Sequence, residues 1–209
     1  MSKQTLIQRH TAGARLNHWL VALAFILAGL SGLGFFHPGF FWLTNLFGGG
    51  TWARILHPFF GAVMALFFLL WVARVWKDNR ITAVDWQWAK HMGEILRNQT
   101  KNLPPVGKYN LGQKLLTRAL LVAILLLLAS GILLWQPWFA PEFSIDLRRK
   151  AVVVHAFAAF VALICFIVHV YAAYWTRGSI RAMTRGTVTA AWARHHSAGW
   201  HKEMAGKNQ

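Results

Sequence analysis

The sequence predicts an all-α integral membrane protein, a four-helix bundle. Three observations carry that prediction. Four runs of helical spanning length are almost free of charge; 56 % of the 209 residues are hydrophobic and only 13 % charged; and a formal net charge of +16 is unevenly spread along the chain. A soluble protein this basic would usually bind nucleic acid. Twelve Trp and 15 Phe, set on long uncharged runs, exclude a disordered tail and speak against a nucleic-acid module, so no nucleic-acid partner is expected.

The first run, Leu16–Phe36, has 21 residues with His18 as its only basic candidate, and the second, His57–Trp76, has 20 with one Arg near its end. Leu115–Trp135 has 21 with one early Arg, and Ala151–Trp175 has 25 with no formal charge. About 20 apolar residues cross the roughly 30 Å hydrocarbon core as a helix, and a helix satisfies its own backbone polar groups in lipid. The first run follows Lys3, Arg9 and Arg15 and so invites comparison with a secretory signal. Its apolar part exceeds the roughly 7–15 residues of a cleaved signal and no small-x-small site follows, which favours an uncleaved helix. The expected organisation is one membrane domain over 1–209, with spans at about 16–36, 57–76, 115–135 and 151–175, a loop at 77–114 and a tail at 176–209.

Charge sets the expected orientation. The N-terminus (Lys3, Arg9, Arg15), the middle loop with its flanks (Arg74, Lys77, Arg80, Lys90, Arg97, Lys101, Lys108, Lys114, Arg118) and the tail (Arg177, Arg181, Arg185, Arg194, Lys202, Lys207) hold eighteen of the 22 Lys and Arg. Only Arg54, Arg148, Arg149 and Lys150 fall on the other side. The positive-inside rule then places both termini and the middle loop in the cytoplasm, where the basic surface is also drawn to anionic membrane lipid. The outer connections, around His37–Trp42, Gly48–Trp52 and Gln136–Glu142, are rich in aromatics, Gly and Pro, as interfacial anchors are. In the middle loop, Val84–Arg97 reads as a short amphipathic helix on the inner face, and Pro104-Pro105 stops any helix before Lys108. No internal repeat and no low-complexity segment stands out.

The single cysteine, Cys165, excludes disulfides, iron–sulfur ligation and a Cys-based zinc site within the chain. A redox cofactor would need other ligands, and the ten His are the supply. His18, His57, His155 and His169 lie inside the spans, where an ionisable group is costly and marks a functional hypothesis. His155 and His169 are 14 residues apart, so on a helix they fall within roughly 40° of one face and about 21 Å apart in rise. With the spans oriented as above, His18 and His169 share the cytoplasmic depth, and His57 and His155 share the outer depth. This predicts two stacked haems, one held by His18 with His169 and one by His57 with His155, and hence a bundle with haems between its helices. Two axial imidazoles leave no open coordination position, which points to electron transfer and away from oxygen binding.

Gly29, Gly32, Gly61, Ala158 and Ala159 would let a macrocycle or a neighbouring helix come close; ordinary small-residue helix packing explains each equally well. His10, His91, His195, His196 and His201 fall in extramembrane segments and His37 in a loop. The His195-His196…His201 cluster lacks the carboxylate or Cys support of a metal site.

Several stretches around these residues resemble the cytochrome b (gamma) subunit of respiratory membrane-bound formate dehydrogenases. They are Asn17-His18-Trp19, Arg54–Gly61 (Arg-Ile-Leu-His-Pro-Phe-Phe-Gly), Val106–Lys114 (Val-Gly-Lys-Tyr-Asn-Leu-Gly-Gln-Lys), His155 with His169, and Trp175–Ile180. Gly186-Thr-Val188, Trp192–His196 and Trp200 carry the likeness into the tail, so it covers nearly the whole chain. The four His alone would also suit di-haem cytochromes of hydrogenases; the Val106–Lys114 loop and the tail are more specific.

The resemblance implies two b haems with the His pairs derived above, and a quinone site, for menaquinone or ubiquinone, beside the cytoplasmic haem at Asn110, Gly112, Gln113 and His169. It implies an iron–sulfur beta subunit and a molybdenum- or tungsten-containing catalytic alpha subunit as partners, and it allows a higher oligomer of the complex. It also implies the bacterial inner membrane. Electrons from formate would cross to quinone and build a proton motive force, with formate oxidised in the partner and quinone reduced here. From the residues alone, Asn110 and Gln113 also fit helix capping before the third span. Two other readings stand beside this one: a di-haem cytochrome b of a membrane-bound hydrogenase or related reductase, and a haem-free membrane anchor or small transporter whose His line a polar interior.

Overall fold

The computed structural model describes residues 5–97 and 103–206. Of the basic residues counted above, Lys3, Lys101 and Lys207 lie outside the described residues. In chain order the elements are β1 (Leu6–Gln8), α1 (Ala12–Phe36), a 3-10 segment (Pro38–Phe47), α2 (Gly50–Val75), α3 (Ala83–Lys90), α4 (Met92–Leu96) and α5 (Leu111–Leu134). A short 3-10 turn (Ala140–Glu142), α6 (Ile145–Trp175), α7 (Ser179–Thr184), β2 (Thr187–Thr189), α8 (Ala190–His196) and α9 (Ala198–Gly206) complete it.

Helices α1, α2, α5 and α6 are each long and apolar enough to cross a membrane, and the protein is an all-α, four-span membrane protein. Each of the four begins between four and seven residues before the corresponding apolar run. Hydropathy marks what suits hydrocarbon, whereas a helix starts where its first N–H groups find a cap. Thr11 Oγ1 accepts from Ala14 N at 3.3 Å at the start of α1, and Ser144 Oγ accepts from Leu147 N at 3.3 Å at the start of α6. Asn110 does the same for α5, where Oδ1 accepts from Gln113 N at 3.0 Å. The amphipathic helix expected over Val84–Arg97 is interrupted at His91 into α3 and α4; Gly93, a poor helix former, sits just beyond the break.

The chain forms two compact units. One comprises Leu16–Val72 and Ala119–His169. Its buried core is made of Ala24, Met64, Ala65, Phe68, Val72 and Ile124, with Val21, Phe25 and Leu128 packed on it. Asn17, buried on α1, donates from Nδ2 to the Phe67 carbonyl of α2 at 2.9 Å, a link between the first two spans.

The other unit comprises Met1–Arg15, Ala73–Arg118 and Val170–Gln209. Here the structure adds what the sequence reading lacked: β1 and β2 pair antiparallel, with Leu6 opposite Thr189, Ile7 opposite Val188 and Gln8 opposite Thr187. The turn into β2 needs Gly186, whose φ is +80° and whose missing Cβ would sit 2.7 Å from the His10 carbonyl oxygen. That close approach lets the Gly186 carbonyl accept from Arg9 N at 2.8 Å and His10 N at 3.1 Å.

The Arg9 side chain is buried in an aromatic cage, with its guanidinium carbon 4.9 Å from the Trp192 ring centre, 5.0 Å from Trp200 and 5.8 Å from Tyr109. It also donates to Ser197 Oγ at 3.3 Å and to the Lys108 carbonyl. Burial lowers its pKa to about 10, which leaves it charged at neutral pH, so the ring faces and acceptors stand in for water. Burial likewise pushes the Tyr109 phenol up.

A second buried charge lies at the start of α5. Lys114 Nζ donates to both Asp85 carboxylate oxygens at 2.8 and 2.7 Å and to the Arg80 carbonyl at 2.9 Å, while Thr82 N and Oγ1 donate to Asp85 Oδ2 at 2.7 and 2.9 Å. Burial pushes the Asp85 carboxyl up, but the hydrogen bonds from Lys114 and Thr82 outweigh it and hold the group below its ordinary value. Such a depressed carboxyl stabilises the fold above its unfolded value, about pH 4, and loses that contribution as pH falls through its folded value.

Asp85→Asn is therefore expected to strand a buried ammonium and to cost about 3–5 kcal/mol. It should also remove the part of the acid sensitivity that Asp85 supplies. Detergent-solubilised wild type and variant, unfolded at pH 7 and below pH 4 and followed by Trp fluorescence, give both quantities.

Candidate functional site

The four intramembrane His come together as two pairs, all within the unit of Leu16–Val72 and Ala119–His169. His18 of α1 faces His169 of α6 with ring centres 6.1 Å apart and ring planes at 48°. His57 of α2 faces His155 of α6, also at 6.1 Å, with planes at 68°. These are the pairs that depth matching along the spans predicts.

The spacing fits a specific kind of group. Two metal–nitrogen bonds of about 2 Å each plus two ring radii come to about 6 Å, the separation of imidazoles bound to opposite faces of one metal ion. A hydrogen-bonded imidazole pair needs less. A cavity of about 250 Å³ adjoins the His57–His155 pair, lined by Gly61, Gly131, Ile124 and Leu128, with Arg54, Trp135 and Gln136 also on its wall. Arg54 is the one formal charge on that lining.

What surrounds the rings differs between the pairs. Ser31 Oγ of α1 lies 2.9 Å from His57 Nδ1, and Ser130 Oγ of α5 lies 2.9 Å from His155 Nδ1. Each serine also donates back along its own helix, Ser31 to the Leu27 carbonyl at 2.8 Å and Ser130 to the Leu126 carbonyl at 2.6 Å. The glycine after each serine lies against the same ring. A Cβ on Gly32 would sit 3.1 Å from His57 Cε1, and one on Gly131 3.4 Å from His155 Cε1. His18 is flanked edge-on by Trp19 at 5.3 Å and Trp71 at 5.7 Å, and its Nδ1 is buried with no hydrogen-bond partner among the described residues.

Sequence reading singled out the four His and named Gly32 among small residues, but missed Ser31, Ser130 and Gly131. A Ser-Gly dipeptide stands 26 residues before His57 and again 25 before His155, measured from the serine. That repeated pair of residues was the available signal. Gly29 and Gly61 have nothing within 4 Å of a Cβ, Gly61 lines the cavity, Ala158 is buried and Ala159 is exposed.

Asn110, Gly112 and Gln113 lie in the other unit, at the start of α5. Asn110 and Gln113 form a reciprocal capping box: Gln113 N donates to Asn110 Oδ1 at 3.0 Å, and Asn110 N donates to Gln113 Oε1 at 3.1 Å. The box uses only the two side-chain oxygens, so the two amide NH₂ groups take no part in it. Of the remaining His, His37 caps the 3-10 segment by accepting from Gly39 N at 3.0 Å, and His91 lies 3.1 Å from Glu94. His195 and His196 touch at 3.3 Å, and burial, His195 and Arg9 lower the His196 pKa to about 4. No group of three or more His, Cys, Asp or Glu is placed to hold a metal ion among the described residues.

Four apolar spans carrying two facing imidazole pairs define a membrane cytochrome of the b type, and comparison with known proteins agrees. The profile of the prokaryotic cytochrome b561 family matches residues 9–186, and the chain belongs to this family, whose cofactor is haem b.

The relatives narrow this further. The chain is 44 % identical over 204 residues to the formate dehydrogenase cytochrome b556(fdo) subunit of Escherichia coli (strain K12), covering 98 % of this chain and 96 % of that protein. It is 38 % identical over 203 residues to the formate dehydrogenase cytochrome b556 subunit of Haemophilus influenzae, covering 97 % and 85 %. It is 35 % identical over 204 residues to the nitrate-inducible formate dehydrogenase cytochrome b556(Fdn) subunit of Escherichia coli (strain K12), covering 98 % and 94 %.

Gly32→Val is expected to push the His57 ring aside and lower haem content, whereas Gly29→Val, on an exposed and open position of the same helix, is expected to leave it unchanged. Haem-to-protein ratios of the two purified variants decide this.

Proposed function

We propose that this chain is the electron-transferring cytochrome b subunit of a respiratory formate dehydrogenase in the bacterial inner membrane, with both termini and the 77–114 loop in the cytoplasm. The observation that carries the reading is the equal 6.1 Å separation of both imidazole pairs. The names of the relatives favour formate over hydrogen as the source of electrons. The imidazole geometry and the family weigh against a haem-free anchor or transporter.

Under this reading His57 and His155 hold one haem b near the outer face, and His18 and His169 hold a second near the inner face. Bound haem b supplies one-electron transfer between ferric and ferrous iron. Each pair would supply two imidazoles to hold its haem, which would suit the group to electron transfer over oxygen binding. Along α6 the two ligands are separated by a rise of about 21 Å, which carries charge across most of the hydrocarbon thickness.

The partners would be an iron–sulfur subunit on the outer face and a molybdenum- or tungsten-containing catalytic subunit beyond it. There formate is oxidised to carbon dioxide with release of one proton and two electrons. At the inner face a quinone takes two electrons from this chain and two protons from the cytoplasm to become quinol. Negative charge moves inward and protons are consumed inside, so a proton motive force builds.

For the quinone, the reading assigns Asn110, Gly112 and Gln113, together with His169. The capping box supports the assignment in one respect. It occupies the amide oxygens of Asn110 and Gln113 and leaves their NH₂ groups to donate to a quinone carbonyl. Gly112, with no side chain, keeps that surface open.

His155→Ala and His18→Ala are each expected to halve the haem content of the assembled complex and to abolish formate-driven quinol formation. One haem in the wild type, or undiminished haem in either variant, would overturn the ligand assignment. Capping and quinone binding separate in Asn110→Asp, since Asp caps as well as Asn but has no NH₂. The variant should keep its thermal stability and reduce both haems from formate at the normal rate, while quinol formation slows at least tenfold. A normal quinol rate would remove Asn110 from the site.

A further inference from the structure

From the two Ser-Gly dipeptides we infer that Ser31-Gly32 and Ser130-Gly131 are matched cradles that orient the two axial ligands of the outer haem and hold its potential below that of the inner haem. The inference rests on the ligand assignment proposed above and deepens it.

The proton count sets the ligand tautomer. A serine hydroxyl has one proton, and in both cradles it is directed to a carbonyl of its own helix: Leu27, with Ala28 at 3.1 Å, for Ser31, and Leu126, with Leu127 at 3.4 Å, for Ser130. The serine oxygen facing the imidazole at 2.9 Å is then an acceptor, so Nδ1 carries the ring proton and donates it. Nε2 is left as the lone-pair nitrogen, the form that binds a metal.

Serine and glycine act on neighbouring ring atoms. The serine holds Nδ1 while the bare glycine backbone lies under Cε1, 3.1 Å from a Cβ position at Gly32 and 3.4 Å at Gly131. One edge of each imidazole is therefore docked on its neighbour helix, which fixes rotation about the ring's long axis and keeps the two planes at 68°. The same device appears twice, from α1 to α2 and from α5 to α6, at sequence separations of 26 and 25 residues.

The inner pair lacks this arrangement on at least one side, because His18 Nδ1 is buried without a partner among the described residues. A hydrogen-bonded Nδ1–H makes Nε2 more basic and favours ferric over ferrous iron. The outer site carries that bias on both ligands. Electrons entering from outside then run downhill to the inner site, in the direction quinone reduction requires.

The test uses the assembled complex and Ser31→Ala, Ser130→Ala, the double alanine variant, and Ser→Thr at each position. Threonine keeps a hydroxyl that can bond back along the helix. Redox titration of the haem bands and electron paramagnetic resonance of the ferric state are read alongside haem content. The expected result is a positive shift of the lower-potential haem alone, larger in the double variant, with an altered ferric signal, and near-native behaviour for threonine. Loss of the outer haem in alanine but not in threonine, by the 10- to 100-fold or so weaker metal binding typical of outer-shell changes, also supports the inference. Unchanged potentials and ferric signals in the double alanine variant overturn it. So does an equal disturbance by alanine and threonine, which would mean packing alone. A wild type without haem would instead overturn the ligand assignment beneath it.

Discussion

Neutral imidazole inside a lipid-spanning helix is the constraint on which the rest of the structure depends. Each ring has one nitrogen that donates and one that accepts, and hydrocarbon satisfies neither. The long helices answer by presenting rings to each other at 6.1 Å, a distance suited to a metal ion between them, and by turning the opposite nitrogen of His57 and His155 onto serines. The small residues around the rings, the cavity beside one pair and the aromatic flank of the other are consequences of where those rings have to be.

Such rings tolerate little displacement, and the surrounding packing reflects this. In the unit that holds them, Ala24, Ala65, Met64 and Ile124 close the interior while most of the large apolar side chains on the spans remain exposed. That is the reverse of a water-soluble bundle, in which the largest apolar side chains turn inward. Close backbone contact and side-chain hydrogen bonds such as Asn17 to Phe67 carry the association of spans when lipid is as apolar as leucine. The second unit follows soluble rules, with a buried Asp85–Lys114 pair and a caged Arg9.

The sequence discloses the spans because a membrane crossing needs a run of known length, and it discloses which His face each other because depth follows from span order. The helix starts at Thr11, Asn110 and Ser144 lie outside the apolar runs, since capping is local hydrogen bonding and leaves no trace in hydropathy. Ser31 and Ser130 were overlooked for a different reason. A serine inside an apolar helix usually bonds back to its own carbonyls, and only the three-dimensional structure shows that a ring from another helix shares the oxygen. The β1–β2 pair was beyond reach, because two three-residue strands almost the whole chain apart carry no periodicity to read.

That long-range pairing has a bearing on how the chain matures. Arg9 and its partner Ser197 are separated by 188 positions, and the Trp192 and Trp200 faces of the cage are made as late in synthesis. Arg9 is thus made before all four spans and finds these neighbours only after the last of them. Its guanidinium stays hydrated until Trp192 and Trp200 arrive, after the four apolar spans have been made. Closure of the strand pair and the aromatic cage therefore requires that all four spans between Arg9 and Trp192 have been synthesised first.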